Sequence, residues 1–536
     1  TIPETVCREL DDAYVFLRTV EHRLQEVADR QTHELPADSK GLARLAASLG
    51  FEDPAHFWTV LDGHRGAVHG HFHMLLESSD GDRLDREREN ELSAIWQQRI
   101  GPSEAAGVLE KIGYDPAGEA LQVLEGLRGD SETRALSETG RQRLDRLIPL
   151  VLMETGRAGH PLPTLRRLAD LIRSIERRTS YLALLLEYPA ALGHLVKLTD
   201  ASPWVATFLA QHPVLLDELL DPRTLYRPPA REAIAAELKR RLGRAPGDDL
   251  EVQIEELCIF KQVNVLRVAA ADVSGRLPLM RVSDYLSDIA EVVINAVVDL
   301  AWQHLVERHG TPVCRLNGAP CDRGFAVIAY GKLGGLELGY GSDLDLVFLH
   351  AGIDGQTNGG PRPIDNAQFF NRLGQRVIHI LTSHTRAGRA YDIDTRLRAS
   401  GISGILVQHV EAFRDYQLTE AWTWEHQALI KARPVSGERR ITARFDAIRA
   451  EVLARPRPQD RLRADVMEMR ERMRRERRLP PAGEFDLKQD PGGIVDIEFL
   501  VQYLALLHAH RYPELVVWTD NVRLIQTLIG SAVLNE

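Results

Sequence analysis

Residues 331–349 read GKLGGLELGYGSDLDLVFL, and the order of residues within this stretch decides the fold. A short apolar, β-prone run, FAVIAYG from Phe325, leads into it and ends in glycine. Its second half, DLDLVFLH from Asp343, alternates as a strand does. Residues i and i+2 of a strand face the same way, so Asp343 and Asp345 project together while Leu344 and Leu346 point into the core. Two carboxylates held side by side repel unless a cation lies between them. Magnesium suits such hard oxygen ligands and commonly also meets substrate phosphates. Gly331, Gly334 and Gly335 let backbone N–H groups come close to a phosphate. A lone D-x-D is more often a solvated strand end. The glycine-rich loop at a fixed distance before it tips the reading towards a site.

Gly331-Lys332, ten residues, then Asp-Leu-Asp fits the pattern of the polymerase-β-like nucleotidyltransferases, although many members carry Gly or Ser where this chain has Lys332. The loop is not a Walker A motif, which needs Gly-Lys-Ser/Thr at another spacing. Lys332 is as readily a solvent-facing residue as a phosphate contact. Gly341 and Ser342, directly before Asp343, either offer a hydroxyl and N–H to a phosphate or simply begin the strand. The superfamily places a third carboxylate on a neighbouring strand, and RAYDIDTRLR from Arg389 reads as that strand. Alternation puts Asp392, Asp394, Arg396 and Arg398 on one face, with Asp394 the favoured ligand. Arginine binds phosphate oxygens in a planar fork, so Arg396 and Arg398 suit a triphosphate. A row of surface ion pairs is the plainer account of the same residues.

Working outward, the chain's 536 residues allow two to four domains. Hydrophobic residues at 44% and charged residues at 27% fit an ordinary globular protein, and few aromatics with much Leu, Ala, Arg and Glu favour helix. No run of 18 apolar residues and no signal-peptide pattern is present. The chain opens at Thr1, which suggests a fragment or processed product. Cys7, Cys258, Cys314 and Cys321 form no C-x-x-C pair, which argues for a reducing cytoplasm and against a disulfide frame or zinc site. A net charge of −11 counts against nucleic acid as a partner.

Periodicity predicts an amphipathic helix over residues 8–30, a polar connection over 78–90, and mostly helix from 91 to about 305. Leu165, Leu168, Leu171, Ile172 and Ile175 mark one apolar stripe within it; 244–250 is a break and 283–306 a long helix. Residues 368–383 are helical, and helix is again expected from about 418 to the end. The fold class expected is therefore mostly α, with an embedded α/β polymerase-β-like nucleotidyltransferase domain and helical bundles on either side.

The resemblance then becomes specific. YGKLGGLELGYGSDLDLVFLH, followed by YDIDTRLRASGISGILV, resembles the glutamine synthetase adenylyltransferase family, as do AWTWEHQALIKARPVSG from Ala421, FDLKQDPGGIVDIEFLVQYL from Phe485 and RRTSYLALLLEYPAALGHLVKL from Arg177. Ala399 departs from the proline usual after R-L-R. AYVFLRTVEHRLQEVADRQTHELP from Ala13 resembles the tail closing the family's first, adenylyl-removing module. The resemblance implies a helical end of that module over 1–77, a linker over 78–95, a helical lead-in of the adenylyltransferase module over 96–305, its catalytic core over 306–440, and a truncated C-terminal helical domain over 441–536. It implies transfer of AMP from ATP to a tyrosine of glutamine synthetase, with Mg2+ held by Asp343, Asp345 and Asp394, and with Gly331, Lys332, Gly341, Ser342, Arg396 and Arg398 on the nucleotide. It further implies the PII signal protein and glutamine as partner and effector, no membrane, and adenylylation without deadenylylation, which full-length members perform by phosphorolysis. The rival readings are a uridylyl- or RNA-directed transferase and a non-catalytic helical scaffold.

Other residues carry weaker signals. Glu425, Gln427, Lys431 and Arg433 either line a nucleotide pocket or form helix-face salt bridges. Gly492-Gly493 opens a helix and suits an anion, while Asp496 and Glu498 are explained by the helix dipole. Lys488 is a further candidate phosphate contact. His69 and His73 have metal-ligand spacing without an acidic partner, and MRERMRRERR from Met469 reads as a solvated helix face.

Overall fold

The computed structural model describes residues 4–26, 35–36, 38–76, 80–245, 249–399, 401, 404–475 and 485–534. Contacts group the chain into two compact units, Thr1–Ala117 with Ile148–Met153, and Gly118–Leu147 with Glu154–Glu536. In the first, helices Glu4–Glu26, Ser39–Ser48 and Pro54–Leu76 close around Val20, Leu24, Leu45, Phe57 and Leu61. Asp38 caps the second of these helices, accepting from the Gly41 N–H at 2.7 Å. The polar stretch read as a connection is helical, Asp80–Trp96. Its Arg, Glu and Leu residues have good helix propensity, and Leu92, Ile95 and Trp96 bury at its end. The side chains of His69 and His73 lie outside the described residues.

The second unit holds the sheet. The expected apolar stripe is buried on helix Pro161–Ile175. Three further helices lie beside or behind the sheet: α1 (Leu250–Val273) packs on α2 (Leu279–His309), while α2 and α3 (Asn366–Thr382) meet the strands. Helix α2 is long and apolar enough to match a membrane span by length and composition. In this fold its apolar residues are buried against α1, α3 and the sheet.

The five strands of the main sheet are β1 (Phe325–Ala329), β2 (Leu344–His350), β3 (Ile393–Asp394), β4 (Val407–His409) and β5 (Arg433–Gly437). The sheet order is β3-β2-β1-β5, with β4 also on β2. β1 lies antiparallel to β2 and to β5, whereas β3 and β4 run parallel to β2. Alternation assigns the faces. Phe325 stacks on Phe348 and on Phe370 of α3. Ala326, Ile328, Val347 and Leu349 join a core with Phe413, Leu429, Phe445, Val452 and Leu506 from the C-terminal helices.

Two expectations are corrected. Residues 433–437 form a strand where unbroken helix was expected after 418. Pro434 cannot donate to a ladder, which suits β5's place at the sheet edge, and the pairing slips by a bulge between Val327 and Ile328. The expected third strand shrinks to two residues. Asp394 accepts from the Arg396 N–H two residues on, at 2.8 Å, and this turn ends the strand.

Helix α4 (Thr423–Ile430) precedes β5, and after β5 the described chain is helical as expected, with α5 (Arg439–Leu453), α6 (Gln459–Arg475), α7 (Ile494–His508) and α8 (Asn521–Gly530).

Candidate active site

Asp345 is the second residue of β2, and Asp343 stands just before the strand. The β1–β2 ladder ends at the Ala329–Leu346 pair. One residue further, the Tyr330 N–H still donates to the Asp345 carbonyl at 2.9 Å. The chain then turns sharply through Gly331, whose φ of +55° is left-handed. A Cβ at Gly331 would strike Asp345 Oδ2, so the carboxylate lies directly over the turn. On the other side of β2, Asp394 is the register partner of Asp345, and the Leu344 N–H donates to the Asp392 carbonyl at 2.9 Å. The glycine turn and two aspartates from different strands thus meet at one end of the sheet.

Burial pushes the Asp345 carboxyl up, and the neighbouring charges of Asp343 and Asp394 push it further, to about 6, against the opposing pull of Arg396 and Lys488. Asp394 behaves oppositely. Hydrogen bonding from the Arg396 side chain holds it below the usual carboxylate range. Arg396 Nε donates to Asp394 Oδ2 at 2.7 Å and its N–H to Oδ1, so both oxygens are engaged. Among the described residues no three acidic, histidine or cysteine side chains form a ready-made metal cluster. Asp392, half-exposed, pairs with Arg389 at 2.5 Å, and Asp394 rather than Asp392 is the residue opposite Asp345.

The residues expected around a triphosphate are placed unequally. Lys332 and Gly341 are exposed, and a Cβ at Gly341 would meet nothing. Ser342 Oγ accepts from the Gly339 N–H at 3.1 Å and so closes the loop on itself. Arg396 is exposed beside Asp394. Arg398 donates to the Thr395 carbonyl and hydroxyl, both at 2.8 Å, and to the Gly404 carbonyl, which ties it into its own loop. Lys488 brings positive charge to Asp345 from the segment before α7.

Glu425, Gln427, Lys431 and Arg433 serve the scaffold rather than an open pocket. Glu425 accepts from the Trp422 N–H and from Tyr416. Gln427 donates to Gln502. Lys431 Nζ, buried, lies 2.6 Å from Glu337 and 2.5 Å from Glu498. Burial opposes its charge, but the two carboxylates outweigh that and raise its pKa. Arg433 donates to the Gly334 and Leu333 carbonyls at 3.1 and 3.0 Å and pairs with the buried Glu291 at 2.5 Å. Gly334 must be glycine here, because a Cβ would run into the Lys431 carbonyl. The Gly492–Gly493 helix start takes its own Asp496 instead of a foreign anion, with the Gly492 N–H donating to it at 2.7 Å. Arg470 and Arg474 also hold Asp496, so the arginine run is partly structural.

The sequence reading missed Glu337, Glu291 and Asn521. Glu337 lies inside the quoted loop, where one carboxylate among glycines was a usable signal. Its partners come from residues about 100 or more positions away, and nothing local announces them.

The family model for glutamate-ammonia ligase adenylyltransferase matches residues 192–448, and that for GlnD PII-uridylyltransferase matches residues 1–76. The chain is 48% identical to the bifunctional glutamine synthetase adenylyltransferase/adenylyl-removing enzyme of Thioalkalivibrio sulfidiphilus, over 100% of this chain and 56% of that protein. The proteins of the same description from Nitrosococcus oceani and Pseudomonas putida are 48% and 46% identical, each over 55% of its own length and 99% and 98% of this chain. The chain thus spans a little over half the length of the curated relatives it matches. With the glycine turn and the paired aspartates in place, the chain is similar along its whole length to glutamine synthetase adenylyltransferase/adenylyl-removing enzymes, and its residues 192–448 match the glutamate-ammonia ligase adenylyltransferase family.

Proposed function

We propose that this chain transfers AMP from ATP to a tyrosine hydroxyl of glutamine synthetase and releases pyrophosphate, and that it does so at Asp343, Asp345 and Asp394. The observation that carries the reading is the pairing of Asp345 with Asp394 across parallel strands, directly over the Gly331 turn. Burial, and then the charges of Asp343 and Asp394, raise Asp345 to about 6, and three carboxylates gathered in this way fit a divalent cation, because they repel without one. Asp343, Asp345 and Asp394 would hold Mg2+, which when bound neutralises phosphate charge and activates the attacking hydroxyl. Gly331, Lys332, Gly341 and Ser342 approach the triphosphate from the loop side. Arg396, released from Asp394, turns its guanidinium to the phosphates. Arg398 keeps the loop carrying Arg396 in shape.

The domain reading supports the same role. Residues 1–77 are the end of an upstream adenylyl-removing module, 78–95 the connection, 96–305 the helical lead-in, 306–440 the catalytic core and 441–536 its C-terminal helices. PII and glutamine act on the whole protein as partner and effector, in the reducing cytoplasm that suits four free cysteines. The match of residues 1–76 to a uridylyltransferase family lies outside 325–398 and does not bear on the nucleotide.

The test is label transfer. Purified chain is incubated with α-phosphate-labelled ATP, magnesium and unmodified glutamine synthetase, beside an Asp343→Ala/Asp345→Ala variant. Label on glutamine synthetase from wild type alone is expected. Label from UTP instead, or equal label from the folded variant, rejects the assignment.

A further inference from the structure

We propose that the groove between α2 and α3 is a second anion site that binds a phosphate-bearing small molecule. The groove encloses about 510 Å³ and shares no lining residue with the aspartate site. Cavities of roughly 300–1,000 Å³ are the usual size for small-molecule sites.

Its charge runs against that of the chain, which carries a net −11. His304, Arg308 and His309 line it from α2; Arg372, Arg376 and His379 line it from α3; Glu307 is the one carboxylate. His304 and Arg308 are four residues apart, as are Arg372 and Arg376, so each helix presents one cationic ridge to the groove. Like charges at that spacing disfavour a helix. The helix dipole accounts for part of this, since Arg308 and His309 end α2. It does not account for Arg372 and Arg376, which lie within α3.

One side of the groove is already oriented. His309 is buried, with Nδ1 2.7 Å from the Arg362 carbonyl, so Nδ1 carries the proton and donates. Nε2 is then free to accept from Arg372 Nη1 at 3.1 Å, which fixes where that guanidinium points. Other arginines of this unit are matched to carboxylates, as Arg231 and Arg433 are to Glu291 and Arg444 to Glu411, or to backbone carbonyls, as Arg398 and Arg449 are. Among the described residues Arg308 and Arg376 have no such partner. Two unmatched guanidiniums facing one cavity across a third, oriented one are arranged for a multiply charged oxyanion, since each fork spans two oxygens.

A phosphate compound fits better than a dicarboxylate. Leu305 is the one aliphatic residue in the lining, so binding relies on charge and acceptor number rather than apolar contact. A phosphoanhydride offers more of both in the same volume.

The test uses inorganic pyrophosphate as the probe, titrated calorimetrically into the whole chain in EDTA, so that no divalent ion contributes at the aspartates. Wild type and an Asp343→Asn/Asp345→Asn variant should bind with equal affinity. Arg308→Ala/Arg376→Ala should bind at least tenfold more weakly, with unchanged circular dichroism. Should that variant misfold, Arg308→Lys/Arg376→Lys keeps the charge, loses both forks, and should also weaken binding. The proposal is overturned if wild type shows no binding at millimolar pyrophosphate, if the folded arginine variants bind as wild type does, or if the aspartate variant is the one that loses binding. Succinate binding as tightly as pyrophosphate overturns the phosphate class.

Discussion

The carboxylate of Asp345 occupies the space that any side chain at Gly331 would need. The two residues are bound from both directions: the Tyr330 N–H donates to the Asp345 carbonyl at 2.9 Å, and the left-handed turn at Gly331 brings the loop back under the carboxylate. The loop and the strand therefore fix each other. Local glycine chemistry and long-range strand pairing become one constraint, and it lies where the aspartates gather.

Gly331→Ala tests this constraint. Alanine in a left-handed conformation costs roughly 1–2 kcal/mol, and its methyl group would displace Asp345 as well. The sheet beneath does not depend on that methyl, so the protein should stay folded with a melting point only a few degrees lower. AMP transfer should fall by about 100-fold or more, equivalent to roughly 2.7 kcal/mol in the barrier. Labelled-ATP assays beside a thermal melt check it. Wild-type transfer by Gly331→Ala would show that the Asp345 position does not matter.

The raised Asp345 carboxyl makes a prediction about the metal-free protein. Its folded pKa, about 6, exceeds the ordinary 3.8, so the folded state holds the proton more tightly than the unfolded chain. The stabilisation from that proton is complete below about pH 4 and is lost as pH rises through 6. In EDTA, Asp345→Asn should remove this slope and stabilise the protein at pH 7.5 by about 1–2 kcal/mol, a discounted figure for a group that keeps some solvent contact. Added Mg2+ should raise the wild-type melting temperature and leave the variant unmoved. Urea titrations across pH 4 to 8 decide it; an unchanged slope in Asp345→Asn removes the electrostatic case for a cation.

How much of this was legible in the residues is clearest by comparing Asp345 with Arg433. Asp345 was found from alternation and from its distance to the glycines, both local properties of the chain. Arg433 reads as a helix exit, because Thr423–Ile430 is helical and the strand that follows is five residues long with a proline in it. Its pairing with β1 spans about 100 residues, and only tertiary contact reveals it. Likewise Asp394 was placed on a long strand by alternation, but its own side chain caps the turn that ends the strand. The run at 78–90 reads as a connection because it is nearly all polar, yet helix propensity and the burial of Leu92 and Ile95 make residues 80–96 helix.

Arg433→Lys should separate charge from shape. A lysine can keep the ion pair with Glu291, but it cannot also span the Leu333 and Gly334 carbonyls as the guanidinium does. Glu291 keeps Arg231 as a second partner at 2.5 Å, so the loss of stability should be modest, about 1–2 kcal/mol. The loosened glycine turn should lower kcat by about tenfold or more, with a smaller effect on KM for ATP. A variant with wild-type kcat would show that this brace does not position the loop.

Lys431 joins the glycine loop to the C-terminal helices, and its removal should be felt as two stranded carboxylates. Its ammonium is nearly fully buried between Glu337 and Glu498, and Glu337 also accepts from the Asn521 N–H and side chain at 3.0 and 2.9 Å. Lys431→Met leaves both acids without their shared cation, at a cost of about 2–4 kcal/mol. Adding Glu498→Gln neutralises one acid while Glu337 retains Asn521, so the double variant should be more stable than Lys431→Met alone. Charge pairs that share a partner couple by roughly 0.5–3 kcal/mol in such cycles. Urea unfolding of the wild type, both single variants and the double variant measures that coupling. If the two losses simply add, Lys431 is held by packing and the three-group bridge contributes nothing of its own.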